Sequence, residues 1–440
     1  AIGNRTMSST IEIDQLRVGM FIHLDLGWWA HPFALSSFLV TSADQIATIR
    51  GLGLKRLRWS PEKSQDEGSV EAPSESKVQT ERTDDKAAQA PQSGAMQDIT
   101  SPGARRRADL AAQRAADKLC AQQYGEAGRA WKDAATLLQS SPEQARVTTE
   151  GLTQSLLDKM MIDGEVCIRM LADTTGDHGS AHALNVTIIS MLMGRVFGLS
   201  DAEMMDMGVG ALMHDIGKLD LPERVRHLAG HLNPTEQERY REHVALGVLT
   251  AKRMGLTPGA MLVMAQHHEM ADGSGFPQRL NIDRMAAAAR IVSLVNRYDN
   301  LCNPPGSAAG LTPHEALSLI FAQARSKFDA SMLNAFIRMM GVYPPGSLVQ
   351  LTDDRYASVV SVNSSRPLKP RVLVCDPAVP PEQALVINLE GFPDLGVRRS
   401  LKAAQLPAAV HDYLSPRPRV AYFFEPATVP VADVALEMAA

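Results

Sequence analysis

The sequence predicts a mainly α-helical protein with a small α+β module before the helical region and a small β-rich module after it. From residue 104 to about 340, Ala, Leu, Met, Gln and Arg dominate, and apolar residues recur at the helical spacings of three and four. Short β-branched runs bounded by Gly and Pro occur on both sides of this region. The predicted divisions of the chain are 7–60, 61–103, 104–150, 151–342 and 343–428.

Residues 7–60 are predicted to form the α+β module. The runs Ile11–Ile13 and Met20–Ile22 favour short strands, and Ser42 is placed to cap a short helix. The following stretch, 61–103, is rich in Ser, Glu, Asp, Gln, Lys, Ala and Pro and has very few large apolar residues. Such a segment cannot bury enough apolar surface to offset its ordering entropy, so we predict a disordered linker there.

The helical region divides into a lead-in, 104–150, and a main domain, 151–342. Two helix starts are marked within it, since Ser200 and Thr312 each stand three residues before a Glu. After residue 346 the apolar period changes, and runs such as Val359–Val362 and Val372–Val374 favour strands. Residues 343–428 are therefore predicted to be a β-rich module.

Composition limits the possible partners. The net charge of −5 gives no sign of a nucleic-acid polymer as ligand, and the four cysteines form no CxxC motif. No apolar run approaches the roughly 18 residues of a membrane span. We therefore expect a cytoplasmic protein without a membrane span, and the sequence leaves its oligomeric state open.

The histidines are concentrated in the helical region, where eight of the twelve fall between residues 178 and 268. We expect His227, His231, His314 and His411 to be ordinary histidines. A different group comes from four separate helical segments with apolar neighbours. It comprises His182, His214, Asp215, His243, His267 and His268. Imidazole nitrogens and a carboxylate without a thiolate suit two divalent first-row metal ions such as Fe, Mn, Zn or Ni.

The segment His214–Lys218 predicts phosphoester chemistry. A carboxylate such as Asp215, shared by two ions about 3.5–4 Å apart, is the two-metal arrangement for phosphoester hydrolysis. Lys218 lies one helical turn after His214, so its ammonium can reach a non-bridging phosphate oxygen. We therefore predict that Asp215 and Lys218 are catalytic residues.

A family resemblance rests on His214–Lys218, on His243 and on His267–Pro277. In this order and spacing they resemble the HD-GYP subfamily of HD-domain phosphohydrolases over roughly residues 150–340. The N-terminal module, with Leu16–Met20 and His31–Phe33, is similar to an uncharacterised domain that often precedes HD-GYP in bacteria. The resemblance implies a helical HD-superfamily core and a bacterial signalling phosphodiesterase. Such an enzyme opens cyclic di-GMP to pGpG, and further hydrolysis to GMP is left open.

The resemblance also implies a set of site residues. One ion would be held by His182, His214 and a bridging Asp215, and the other by the bridging Asp215 together with the later histidines. The implied metal ligands are His182, His214, Asp215, His243, His267, His268 and Asn296. The implied substrate contacts are Lys218, Asp272, Gly273, Gly275, Phe276 and Pro277, while Glu269 is implied to shape the loop. The glycines allow positive φ close to a phosphate.

The sequence departs from the family pattern at several positions. Phe276 replaces a tyrosine, so the ring is kept and the hydroxyl is lost. Asn296 stands where the family has an aspartate ligand, His178 stands where some members have a glutamate for a third ion, and 301–305 lacks a basic stretch.

These departures leave alternatives to an active cyclic di-GMP phosphodiesterase. The first alternative is a catalytically weakened module that senses cyclic di-GMP or docks onto diguanylate cyclase domains. The second is an HD hydrolase for another nucleotide, against which the Gly273–Pro277 loop argues.

Overall fold

The computed structural model describes residues 9–25, 31, 33, 37–64, 102–162, 164–171, 178–227, 232–306 and 310–427. These residues form two compact units. The first contains the described residues before Gln113 except Phe33, and the second contains Phe33 and the described residues from Gln113 onward. Among the described residues, no helix combines the length and the apolar character that crossing a membrane requires.

The first unit is built on a four-stranded antiparallel sheet. Its elements are β1 (Ser9–Glu12), β2 (Phe21–His23), β3 (Ser37–Leu39), α1 (Ala43–Gly51) and β4 (Arg56–Trp59). The strand order is β1-β4-β2-β3, with Ile11 opposite Leu57 and Ile22 opposite Phe38. The Ser42 hydroxyl accepts a hydrogen bond from Gln45 N at 3.2 Å and begins α1. The predicted α+β module and its helix start are confirmed.

Most of the rest of the chain is helical, as predicted. The helices are α2 (Pro102–Leu137), α3 (Pro142–Met160), α4 (His178–Val196), α5 (Asp201–Met213), α6 (Glu223–His227), α7 (Pro234–Met254), α8 (Pro258–Gln266), α9 (Ala287–Cys302), α10 (Pro313–Gln323), α11 (Ala330–Met340) and α12 (Ala408–Leu414). The predicted capping boxes at Ser200 and Thr312 begin α5 and α10. Such a cap contributes about 1 kcal/mol to the stability of its helix.

The core of the helical part lies around α4, which packs against α5 and α9. Every side chain from His182 to Met193 on this helix is buried, so α4 is enclosed on all sides. Leu184, Ile188 and Met191 are fully buried. Truncating one of them to alanine would cost about 2–5 kcal/mol, because the surrounding helices cannot close the cavity completely. The packing of α4 against α5 and α9 therefore positions the N-terminal end of α4, which carries His182.

A second antiparallel sheet has seven strands. They are β5 (Val166–Met170), β6 (Leu348–Leu351), β7 (Tyr356–Asn363), β8 (Arg371–Val374), β9 (Val386–Asn388), β10 (Val397–Leu401) and β11 (Tyr422–Pro426). The main order is β10-β6-β7-β5-β11, and β8 pairs with both β7 and β9. The β-rich character predicted for residues 343–428 is confirmed.

The prediction of helix was wrong at β5, which lies inside the segment expected to be helical throughout. Its five residues pair with β7 on one side and with β11 on the other. Cys167 and Ile168 are buried, and Arg169 forms ion pairs with Asp117 and Glu425. A strand this short is hidden by the helical pattern on both sides, and only pairing with distant strands stabilises it. The sheet therefore joins strands from both sides of the domain boundary that we predicted near residue 342. That boundary stays a prediction.

The predicted disordered linker, 61–103, falls mostly outside the described residues. At one end of it, Pro61–Lys63 form a 3-10 helix. At the other end α2 already begins at Pro102. The linker prediction was therefore wrong at these two ends, because the neighbouring elements extend further than composition indicates. Residues 65–101 lie outside the described part of the chain.

Candidate metal centre

Four helices bring the predicted ligands together. His182 lies in the second turn of α4, and His214 is the residue that caps the C-terminus of α5. Asp215 follows at the start of a 3-10 helix, Ile216–Asp220, with φ −98° and ψ 4°. His243 lies in the middle of α7, and His267 caps the C-terminus of α8, immediately before His268. A histidine at a helix end can turn its ring into the space between helices, which is where these residues meet.

Gly217 explains why α7 comes so close to Asp215. A Cβ at Gly217 would collide with the His243 carbonyl oxygen and with the Gly247 amide nitrogen. The absence of a side chain at both glycines lets the two backbones touch, which brings His243 beside Asp215. Gly217 therefore serves the close packing of its 3-10 helix against α7.

The ligand atoms fall into two groups that share Asp215. One group is His182, His214 and Asp215, and the other is Asp215, His243, His267 and His268. Within each group the ligand atoms lie within 4.8 Å of one another. Asp215 Oδ2 is 3.5 Å from His182 Nε2 and 3.4 Å from His214 Nε2. Asp215 Oδ1 is 3.5 Å from His243 Nε2 and 3.7 Å from His267 Nε2. Each carboxylate oxygen therefore faces one group.

The tautomers of four imidazoles are set by their Nδ1 atoms. Three of these atoms can only donate, because each lies against a backbone carbonyl: His214 against Ala211 O at 2.6 Å, His243 against Tyr240 O at 2.5 Å and His267 against Met264 O at 2.7 Å. The Nδ1 of His182 lies 2.6 Å from Asp299 Oδ2. Each Nε2 is then left with its lone pair free, which is the form that binds a metal.

The Nε2 lone pairs point toward one another in pairs, as they would around bound cations. The Nε2 atoms of His182 and His214 are 3.2 Å apart, and those of His243 and His267 are 3.3 Å apart. Two acceptors facing each other repel unless a proton or a metal ion lies between them. Within the part of the chain that the structure describes, Asp215 Oδ1 and His268 Nε2 are also buried without a hydrogen-bond partner. Since buried polar atoms are normally paired, this donor set fits divalent metal ions.

Burial keeps the imidazoles of His243, His267 and His268 neutral. It lowers the pKa of His243 to about 4 and holds the pKa values of His267 and His268 well below their ordinary range. Burial alone would raise the pKa of the Asp215 carboxyl, but the Lys218 ammonium and His214 hold it well below its ordinary range. At neutral pH the group therefore combines neutral imidazoles with a carboxylate, which is the protonation state that metal binding requires.

Lys218 lies beside Asp215, and its catalytic role stays a prediction. Its Nζ lies 2.6 Å from Asp215 Oδ2 and 5.1 Å from the centre of the Tyr240 ring. Burial alone would lower the pKa of Lys218, but the neighbouring Asp215 raises it above the ordinary value. Because its pKa is raised, the ammonium stays charged at neutral pH, and the side chain is 21% exposed.

The predicted substrate loop follows His268 and is held by Glu269. This fully buried carboxylate accepts hydrogen bonds from Gln278 N at 2.6 Å and from Leu280 N at 2.8 Å. Gly273 has φ 76°, in agreement with the predicted need for positive φ. A Cβ at Gly275 would lie 2.5 Å from the backbone of residues 268–270, so the loop folds directly onto the ligand segment.

Among the predicted substrate contacts in this loop, Phe276 touches a ligand side chain. Its ring is stacked on the His268 imidazole, with centres 4.4 Å apart and an angle of 20° between the planes. The Arg241 guanidinium lies 5.3 Å from the centre of the Phe276 ring. Asp272 is exposed and binds Ser274 N and Oγ at 3.0 and 2.6 Å, while Pro277 is exposed at the loop surface. Asp272 thus shapes the loop.

Asn296 and Asp299 lie one turn apart on α9, and the structure gives them different surroundings. Asn296 is buried, and its amide oxygen accepts a hydrogen bond from Asn300 Nδ2 at 2.7 Å. Its role as a ligand stays a prediction. Sequence reasoning missed Asp299, which is fully buried and orients His182. A signal was available, because Asn185 interrupts the apolar helix α4 and donates to Asp299 at 2.8 Å.

The remaining histidines have other surroundings. His178 stacks parallel to His182 with ring centres 6.2 Å apart, and its Nε2 lies 2.9 Å from Asn303 O. His314 Nδ1 donates to Val342 O at 2.8 Å, and His411 is exposed. These contacts agree with the ordinary roles expected for His314 and His411. His231 lies outside the described residues.

Two protein-family models match separate parts of the chain. A family model described as HD domain matches residues 165–332. The chain therefore carries a match to the HD domain over these residues. A second model, described as a domain of unknown function (DUF3391), matches residues 8–148. The predicted resemblance, an HD-type core behind an uncharacterised N-terminal domain, is confirmed.

The HD-domain relatives include named phosphodiesterases. A cyclic di-GMP phosphodiesterase of Pseudomonas aeruginosa is 25% identical over 84% of this chain and 85% of its own length. A 3'3'-cGAMP-specific phosphodiesterase of Vibrio cholerae is 31% identical over 36% of this chain and 30% of its own length. Against further relatives the chain spans half of their length or less. The solved structure of an HDG"Y"P protein from Bdellovibrio bacteriovorus has 13% identity and a TM-score of 0.39, covering 75% of this chain and 98% of that one.

Proposed function

We propose that this protein is a metal-dependent phosphodiesterase that hydrolyses cyclic di-GMP to pGpG. The observation that carries the proposal is the pair of ligand groups sharing Asp215, one on each of its carboxylate oxygens. The names of the relatives support the substrate class, since they specify cyclic di-GMP or 3'3'-cGAMP. Both compounds are cyclic dinucleotides, so the phosphodiester chemistry is common to them.

The ligand sets suit a pair of divalent first-row ions, with Fe, Mn, Zn and Ni as the candidates. One set would use His182, His214, Asp215 and, as a further ligand, Asn296. The other would use Asp215, His243, His267 and His268. The chemistry that such ions supply when bound is polarisation of phosphoryl oxygens and activation of water.

The chain's own residues would bind and orient the substrate around this centre. Lys218, charged and partly exposed beside Asp215, is placed to donate to a non-bridging phosphate oxygen and to offset charge that develops there. Gly275 folds the loop against the ligand segment, so its backbone can approach a phosphate closely. The Phe276 ring, stacked on His268 and covered by the Arg241 guanidinium, offers an apolar edge against which a base can pack.

Several finer expectations accompany the proposal. Hydrolysis beyond pGpG to GMP, an oligomeric state, docking onto diguanylate cyclase domains and a cytoplasmic location all stay predictions. Asn296 favours one alternative function in particular, because a neutral amide in a metal position binds a hard cation less well than a carboxylate. In that case the protein binds cyclic di-GMP without turning it over.

The test is hydrolysis by protein purified without chelator in the absence of oxygen, with its metal content measured. Cyclic di-GMP and 3'3'-cGAMP are supplied separately, and products are separated by chromatography. We expect pGpG from cyclic di-GMP and no turnover by His214→Ala. His411→Ala, which changes an exposed histidine elsewhere, is the matched control and should keep wild-type activity.

Each outcome has a distinct meaning. Faster turnover of 3'3'-cGAMP would move the substrate assignment within the cyclic dinucleotides. Saturable binding of cyclic di-GMP without product, by protein that carries its ions, would favour the sensor. Protein without bound metal and without activity, even after addition of Mn²⁺ or Fe²⁺, would contradict the proposal.

A further inference from the structure

Asp299 is the junction between the metal centre and the start of the last strand. Its Oδ2 lies 2.6 Å from His182 Nδ1, while its Oδ1 accepts from Asn185 Nδ2 at 2.8 Å and from Asn303 Nδ2 at 2.9 Å. These residues are 0–5% exposed. A buried carboxylate with three donors is held in one position, and it holds His182 in the tautomer whose Nε2 faces Asp215.

The two amides that hold Asp299 are themselves held by residues 420–422. Both Nδ2 atoms donate a second hydrogen bond to Val420 O, at 3.0 Å from Asn185 and 2.9 Å from Asn303. Both amide oxygens accept from the same segment, Asn303 from Val420 N and Asn185 from Tyr422 N, each at 2.9 Å. Every donor and acceptor of both amides is therefore used, which fixes their orientation.

This segment leads directly into β11, which pairs with β5 in the seven-stranded sheet. Ala421 O also accepts from Leu171 N at 2.9 Å, just beyond β5. We propose that residues 420–422 act as a clamp for the metal group formed by His182, His214 and Asp215. By fixing Asn185 and Asn303, the clamp positions Asp299 and through it His182. The other group, with His243, His267 and His268, has its Nδ1 contacts at His243 and His267 within α7 and α8 and does not depend on the clamp.

The first test is metal binding by variants of the clamp. Asn303→Ala and Asp299→Asn are titrated with Mn²⁺ alone, and the affinity for each ion is measured by calorimetry without substrate. Changes to residues that orient metal ligands typically cost 10- to 100-fold in affinity. We expect a loss of that size for one ion only, with the second ion bound as in wild type.

Tyr422→Phe is the matched control. It removes the hydrogen bond between the Tyr422 and Tyr298 hydroxyls, which are 2.9 Å apart, but it keeps the Tyr422 backbone N–H that binds Asn185. We expect a lower melting temperature and unchanged Mn²⁺ affinities. An equal loss of affinity in Tyr422→Phe and Asn303→Ala would overturn the clamp, because general destabilisation would then explain both.

Hydrogen exchange of the wild-type protein tests the same coupling without any substitution. If the clamp and the first ion stabilise each other, Mn²⁺ must slow exchange of the Val420 and Tyr422 amides, since coupling between two sites is reciprocal. Peptides from β10, at the far edge of the same sheet, serve as the reference. Two ions bound with unchanged exchange at 420–422 would overturn the clamp and leave the phosphodiesterase proposal intact. Failure to bind any ion would instead contradict the proposed function.

Discussion

The Arg241 guanidinium lies over the ring of Phe276, 5.3 Å from its centre, and forms an ion pair with Glu238 at 2.9 Å. Phe276 is in turn stacked on His268, so the three side chains form a column from the metal centre toward solvent. A planar cation at the end of such a column can stack on a base or donate to a phosphate. The column therefore extends the candidate substrate site beyond the residues that the sequence indicated.

Arg241→Ala is expected to raise KM for cyclic di-GMP about 10-fold and to leave kcat within about 2-fold, because a cation–π or stacking contact contributes about 1–2 kcal/mol. The control is Arg239→Ala. Arg239 is also exposed on α7 and also pairs with a glutamate three residues away, Glu242. Steady-state kinetics of both variants check the prediction, and equal effects of the two changes would contradict it.

Lys218→Met is expected to lower kcat about 100- to 1000-fold while metal content stays at the wild-type level, because one preorganised donor to developing charge contributes that much. Lys252→Met, in the last turn of α7, removes an exposed lysine and serves as control. Single-turnover rates and elemental analysis provide the two readouts. A parallel fall in rate and metal content would show that Lys218 acts only by holding Asp215.

Asn296→Asp is expected to lower the Mn²⁺ concentration for half-saturation about 10-fold, because a carboxylate replaces a neutral ligand of a hard cation. Turnover at limiting metal should rise accordingly. Gln323→Glu adds the same charge at an exposed position at the end of α10 and is the control. Metal binding is measured directly as well as through activity. Identical half-saturation and identical maximal rate in Asn296→Asp and wild type would show that residue 296 is not a ligand.

Lys159→Met is expected to stabilise the protein at neutral pH. Lys159 on α3 is 2% exposed, and burial lowers its pKa to about 8 from an ordinary value of 10.5. Below pH 8 the folded state must bury the charged ammonium, at a cost of roughly 3 kcal/mol relative to the unfolded chain. Above pH 10.5 neither state is charged, so this cost is lost as pH rises from 8 to 10.5.

Denaturant unfolding of wild type and Lys159→Met between pH 7 and 11 checks the direction of this pH dependence of stability. The stability advantage of the variant should shrink across that pH window, because other titrating groups are common to both proteins. An advantage that stays constant with pH would mean that methionine simply packs better there.

The sequence was most informative where function imposes residue types at short spacing. His214, Asp215 and Lys218 could be placed in one site because a single helix end carries all three, and the structure brings them together. Sequence also predicted the sharing of Asp215 by two ligand groups. Asn185 signalled a buried polar partner on another helix, but the identity of Asp299 as the partner of His182 depends on the rotation of α9 relative to α4.

Long-range pairing was the other element that the sequence did not reveal. The strand β5 has five residues within a helical pattern, and its partners lie far away in the chain. The column of Arg241, Phe276 and His268 likewise joins two segments whose distance is set by the fold. In each case local patterns identify the residues but not their neighbours.

The clamp at residues 420–422 has a consequence for the order in which the protein is made. Asn185 and Val420 are 235 residues apart, so the ribosome releases the histidines of both metal groups well before the segment that completes one of them. Domains of a nascent chain fold as they emerge, N-terminal parts first. During synthesis the group containing His243 can therefore mature first, while the group containing His182 stays immature until almost the whole described chain has been translated. Full metal binding by the group that contains His182 would therefore begin only after Tyr422 has been translated.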